Sequence, residues 1–178
     1  TDYTGMMELA EHLLSAVAVE VCGGYKVTYQ GTEIDFTPPF RRVTMIDVIR
    51  EHTGLDFNTL NDETAFEAVK GLGLSPDKGS SWGNLMSFVF EERCEAKLIQ
   101  PTFLCEYPIE ISPLTRKTPH DPRLVERFEL FAYGRELANA YTELNDPIDQ
   151  RERFIQQAQL KGTEGQFEID EDFVTAME

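Results

Sequence analysis

The stretch from Glu126 to Leu144, ERFELFAYGRELANAYTEL, restricts what can form around it more than any other part of the chain. Two runs suited to strands, Leu124 to Tyr133 and Arg135 to Leu144, meet at Tyr133-Gly134, where glycine turns a backbone without steric penalty. The pattern predicts a β-hairpin. With Tyr133 and Gly134 as its loop, Phe131 falls opposite Glu136 and Glu129 opposite Ala138, so Glu129 and Glu136 become diagonal neighbours on one face. Two carboxylates about 4 Å apart repel by roughly 4 kcal/mol at an effective dielectric near 20, so ionised together they want a divalent cation or a basic partner. Arg127 and Arg135 offer the ordinary alternative, a solvated face with Arg-paired carboxylates.

On the second run, Asn139, Tyr141 and Glu143 alternate, so an amide, an aromatic wall and a carboxylate project from one face. That trio suits a ligand with a polar head, an apolar stem and an ammonium tip; its plain alternative is a half-exposed strand. Glu136 and Asn139 differ by an odd number and belong to opposite faces of a regular strand. A β-bulge near Ala138 and Ala140 would bring both sets into one pocket. Glycosidase chemistry fits less well, because it needs two acids facing each other across a cleft.

With 178 residues and 41% hydrophobic content the chain can bury a substantial core, as one domain or one domain with an insertion. Its 32 acidic and 16 basic residues leave a net charge of -16, which excludes a broad basic face for phosphates. Cys22, Cys94 and Cys105 are far apart and form no CxxC pair, so neither a disulfide framework nor a zinc site is expected. His12, His52 and His120 stand at no ligand spacing, and no P-loop, GxGxxG or nucleophile elbow occurs. No apolar run approaches the roughly 20 residues of a membrane span, and TDYTG lacks signal-like features, so a soluble, cytoplasmic protein is expected. The start at Thr1 and the tail EDFVTAME, which opens as a helix after Asp170, read as an excerpt of a longer chain.

Along the chain, Thr4 is expected to cap a helix carrying Met6, Leu9, Ala10, Leu13, Val17 and Val21, ended by Gly23-Gly24 and packed on something apolar. A hairpin over Tyr25 to Phe36 turns at Gln30-Gly31. Thr44 with Asp47 starts a helix ending near Gly54, and Asp62 caps another running to Gly71. Residues 55–81 read as a helical insertion and the natural candidate for a mobile flap. Trp82 to Cys94 form an amphipathic helix whose apolar face is core, and LIQPTFLCEYP a strand. Asp146-Pro147 begins a helix ending at Lys161-Gly162. The fold class is α+β, an antiparallel sheet flanked by helices.

Two stretches, RFELFAYGRELANAYTELNDPIDQRERF and LIQPTFLCEYPIEISPLTR, are specific enough to carry a resemblance. The chain resembles the bacterial lysyl-tRNA synthetases, a family of class II aminoacyl-tRNA synthetases, over essentially its whole length. DYTGMMELAEHLL is similar to the helix after the family's motif 2, and DEDFVTAME to the segment before motif 3. The resemblance implies the C-terminal part of a catalytic domain that activates lysine with ATP and lysylates tRNA(Lys), as a homodimer. By it, Glu129 and Glu136 match magnesium-binding glutamates that contact ATP. Asn139, Tyr141 and Glu143 match the lysine-binding amide, aromatic wall and ammonium-pairing carboxylate.

The chain departs from the family pattern in having no motif 1, no motif 2 arginine, no GxGxxR-like motif 3 and no anticodon-binding domain. The segment alone is therefore expected to be inactive. Two other readings stay open at this point: a paralogue that lysylates a protein or a membrane lipid, and a non-catalytic module whose carboxylates only solvate the sheet.

Overall fold

The computed structural model describes residues 1–160 and 171–176. Helix α1, Tyr3–Cys22, starts two residues earlier than Thr4 would set it. Asp2 keeps an extended backbone and its carboxylate accepts from the Gly5 amide at 3.1 Å, so Asp2 is the cap. Gly23 ends the helix with φ 80°, a left-handed conformation that glycine adopts without strain. The packed face keeps Met6 and Ala10 of the stripe read in the sequence and turns away from the rest. Glu11 accepts from the Phe40 amide at 2.6 Å and Ser15 donates to the Phe36 carbonyl at 2.9 Å. Those buried polar bonds leave Leu9, Leu13, Val17 and Val21 exposed.

Strands β1, Lys26–Tyr29, and β2, Thr32–Asp35, pair antiparallel around Gln30-Gly31, both at positive φ, as the hairpin reading expects. Strand β3, Arg41–Thr44, was not anticipated: RRVT is short and charged, with no visible alternation. It runs parallel to β4, Thr102–Pro108, so the central sheet is mixed where a wholly antiparallel one was expected. The sheet continues antiparallel through β5, Leu124–Ala132, and β6, Arg135–Tyr141, in the order β3-β4-β5-β6.

Three helices cover one face. Helix α2, Met45–Thr53, has its first turn capped by the Thr44 hydroxyl and its end by Gly54, both as expected. Helix α3, Asp62–Gly71, is capped by Asn61 in a reciprocal box with Thr64. Asp62, expected as that cap, instead accepts from the Trp82 amide at 2.7 Å and ties α3 to α4, Trp82–Arg93. Ile49, Phe57, Val69, Leu85 and Leu104 are fully buried in the core these elements share with the sheet. Residues 55–81 are thus rooted in that core through Phe57, Ala65 and Val69. Helix α1 covers the other face, with Met7 against Phe103, Phe128 and Leu130.

Helix α5, Pro147–Leu160, is capped by Asp146, which accepts from the amides of Ile148 and Asp149. Its expected end at Lys161-Gly162 lies outside the described residues. Helix α6, Glu171–Ala176, agrees with a helix opening after Asp170.

Burial pushes the Cys94 thiol up to about 11 and the Cys105 thiol up to about 12, whereas Cys22 is exposed. Iodoacetamide at pH 8 is therefore expected to alkylate Cys22 alone until denaturant is added, because the thiolate is the reactive form. Peptide mass mapping reads the result.

Candidate functional site

The hairpin turn is Tyr133-Gly134, with φ of 55° and 62°. A side chain at Gly134 would meet the Ala96 backbone at 3.1 Å, and the Gly134 amide donates to the Leu98 carbonyl at 2.9 Å. Glycine is needed there for both its φ and the close approach. From the turn, Ala132 pairs with Arg135 and Phe131 with Glu136, after which the register shifts and Leu130 pairs with Ala138. Leu137 is the extra residue of a β-bulge, one position before the place the strand parity indicated. Beyond it Glu129 faces Asn139 directly, where a regular hairpin would set Ala138, and Arg127 faces Tyr141.

The bulge reconciles the two sets of residues. Glu136, Asn139 and Tyr141 all pair with alternate residues of β5, namely Phe131, Glu129 and Arg127, and so share one face. On the opposite face Ala138 and Ala140 pack under α1. In β4 the pairing slips between Cys105 and Tyr107, where Glu106 has φ 61°, and Tyr107 joins Leu104 and Val125 in the core on the side of Glu129.

Arg127 is the hub of this face. Its guanidinium donates to Glu129 Oε1 at 2.6 Å, to Asn139 Oδ1 at 3.2 Å and to Ser112 Oγ at 2.8 Å. It also lies 4.6 Å from the centre of the Tyr107 ring. Asn139 Nδ2 donates to the same Glu129 oxygen at 3.2 Å. The Arg-paired alternative of the sequence thus holds for Glu129, through Arg127 and not Arg135. It does not exhaust the local charge. Burial raises the Glu129 carboxyl above its ordinary value; Tyr107 and Arg127 oppose this, while Glu136 and Glu95 add to it. Burial, then Glu91 and Glu136, raise Glu95 likewise.

Two clefts open on either side of Arg127, which lines both. The first, about 430 Å³, runs between α4 and the sheet and presents Glu91, Glu95, Glu129 and Tyr107. The second, about 310 Å³, has Asn139 and Tyr141 on one side and Ser112 to Thr115 on the other. Glu136 is exposed and lines neither. Glu143 is also exposed and outside both linings; it has left β6, which ends at Tyr141, and bridges to Thr115. The expectation that Glu143 continues the strand with Asn139 and Tyr141 is corrected to that extent.

The family description tRNA synthetases class II (D, K and N) matches residues 1–178. The chain belongs to this class II tRNA synthetase family. It is 54% identical to a lysine--tRNA ligase of Pelotomaculum thermopropionicum, over 99% of this chain and 36% of the relative. A lysine--tRNA ligase of Thermoanaerobacter pseudethanolicus is 51% identical over 100% of the chain and 36% of its own length. One of Parasynechococcus marenigrum is 52% identical over 100% and 36%. The chain therefore spans about a third of the length of these curated relatives.

A class II synthetase site that takes magnesium needs hard oxygen donors, which this face supplies. Among the described residues no group of three His, Cys, Asp or Glu could hold an ion. Magnesium fits such a face, since it is usually bound through one or two carboxylates plus waters and substrate phosphates, not by an all-protein cage. Tyr107 has a buried hydroxyl without a regular hydrogen bond, set beside the Glu129 carboxylate.

Sequence reasoning treated Arg127 only as a competitor of the cation, although its two-residue spacing from Glu129 already put both on one synthetase face. Glu91, Glu95 and Tyr107 carried no such signal, because they reach the face through the docking of α4 and the irregularity at Glu106. Among the described residues no helix is long and apolar enough to cross a membrane.

Proposed function

We propose that the full-length protein containing this chain is a cytoplasmic, homodimeric lysine-tRNA ligase. It joins the lysine carboxylate to the α-phosphate of ATP, releasing pyrophosphate, and then transfers the lysyl group to tRNA(Lys), releasing AMP. The observation that carries the reading is the Leu137 bulge, which sets Glu136, Asn139 and Tyr141 on the face of Glu129. Support comes also from the identity of 54% and 51% to lysine--tRNA ligases.

In this reading Glu129 and Glu136 would hold magnesium, whose chemistry there would be charge neutralisation on the ATP phosphates. Arg127 keeps Glu129 and Asn139 in fixed orientation by bonding both. Asn139 binds the polar head of lysine and Tyr141 flanks its stem. Glu143 receives the ε-ammonium in charge-assisted hydrogen bonds. Residues 55–81 are a helical insertion on the class II core, serving as a flap. The tRNA grip belongs to the remaining two thirds of the protein, since a net charge of -16 gives this part little attraction for phosphates.

The test is amino-acid-dependent exchange of pyrophosphate into ATP by the full-length protein. Lysine alone should support exchange. Exchange with aspartate or asparagine, or none with lysine, overturns the reading.

A further inference from the structure

The half of the long motif that follows the hairpin, NDPIDQRERF, forms the start of α5, and its side chains do not touch either cleft. They reach the second cleft from behind. Arg153 is 3% exposed, and its guanidinium donates to both carboxylate oxygens of Asp149, at 3.2 and 3.1 Å. The same guanidinium donates to the backbone carbonyls of Thr115 and, at 3.5 Å, Pro113. Gln150, 1% exposed, adds a bond to the Pro113 carbonyl at 3.3 Å, and Lys117 reaches Asp149 at 2.8 Å.

What this clamp grips is the wall of the cleft opposite Asn139 and Tyr141. Pro113, Leu114 and Thr115 line the cleft, and the next turn of backbone continues as a short ladder beside the end of β6. The Leu144 amide donates to the Leu114 carbonyl at 3.0 Å and the Arg116 amide to the Thr142 carbonyl at 2.9 Å. Glu143 lies between those two bonds, bridged to Thr115. The Thr142 amide still donates to Glu126 of β5 at 2.9 Å, but Glu143 itself has left the regular strand and its own bridge is to Thr115 of this ladder.

We infer that Arg153, oriented by Asp149, is a positioning residue for the lysine site: it fixes the Pro113 to Thr115 wall and, through that wall, the place of Glu143. The inference rests on the proposed lysine-binding role of Glu143. A guanidinium this buried needs full hydrogen bonding, and here its acceptors are the wall's own carbonyls and one carboxylate. Removing it takes the guanidinium bond from the Thr115 carbonyl and leaves the Pro113 carbonyl with Gln150 alone, which frees the wall to shift relative to Tyr141, whereas the first cleft, walled by α4, makes no contact with α5 through these groups.

The test compares Arg153→Met and Lys117→Met with the unaltered full-length protein in lysine-dependent pyrophosphate exchange. Arg153→Met is expected to raise the lysine KM at least tenfold and leave the ATP KM within twofold. Lys117→Met, which loosens only Asp149, should raise the lysine KM about threefold. Equal changes in both KM values, or none, overturn the inference, because a merely structural role would not single out lysine. If Arg153→Met does not yield folded protein, Lys117→Met decides alone by the same split. Glu143→Gln is run in parallel: if it leaves the lysine KM unchanged, the lysine-site reading fails, and if it raises the KM while the clamp variants do not, only the clamp fails.

Discussion

Glu143→Gln in the full-length protein is expected to raise the lysine KM about 50-fold, with the ATP KM within twofold. The size follows from exchanging a charge-assisted pair for a neutral amide, roughly 2–3 kcal/mol, at about tenfold per 1.4 kcal/mol. The direction follows from the arrangement of the second cleft. Tyr141 can cover an apolar stem but offers no charge, and the Asn139 amide, bonded to Arg127 and Glu129 at 3.2 Å each, is neutral. Glu143 is then the exposed carboxylate bridged at its backbone to Thr115, which lines that cleft. Steady-state exchange kinetics measure both constants; a rise in the ATP KM of the same size would assign Glu143 to the phosphates.

Glu136→Gln should act on the other device. Its kcat for exchange is expected to fall about a thousandfold, roughly 4 kcal/mol at 1.36 kcal/mol per tenfold, while lysine binding followed by calorimetry stays within twofold. The two glutamates are not equivalent. One oxygen of Glu129 is already engaged by Arg127 at 2.6 Å and Asn139 at 3.2 Å, whereas Glu136 is exposed. Glu136 is thus the carboxylate with room to meet an ion arriving with ATP. Retention of full kcat in Glu136→Gln, with any magnesium concentration, would remove it from the metal site.

Much of this was legible in the sequence because the signals were local. The Tyr133-Gly134 turn, the Thr44 cap, the Gly23 and Gly54 helix ends and the buried face of α4 each depend on residues within a few positions of one another. The bulge was legible for another reason. Glu136 and Asn139 carry chemistry that makes sense on one face, and their odd separation allows it only if the strand gains a residue, which is Leu137. Parity exposed the need, though not the exact position.

What the sequence hid was set by distant partners. Strand β3 exists because β4 offers a parallel edge to a short charged run, and nothing within RRVT announces it. The packed side of α1 was misjudged because Glu11 and Ser15 are held by the backbone of Phe40 and Phe36, 29 and 21 residues away. Glu143 looked like a strand residue by alternation alone. Its exit to Thr115 depends on a segment held from below by Arg153, a contact that spans 38 residues.

Two devices for two cations are expected here, one for a metal at Glu129 and Glu136 on the sheet face and one for an ammonium at Glu143 beside it. The most direct measurement is a crystal structure of the full-length protein with lysine, ATP and manganese in place of magnesium, using the manganese anomalous signal. A peak about 2.1 Å from carboxylate oxygens of Glu129 or Glu136, with the lysine ammonium about 2.8 Å from Glu143 and its stem along Tyr141, is the predicted result. Manganese bound away from both glutamates, or lysine whose ammonium meets Glu129 instead of Glu143, would contradict it.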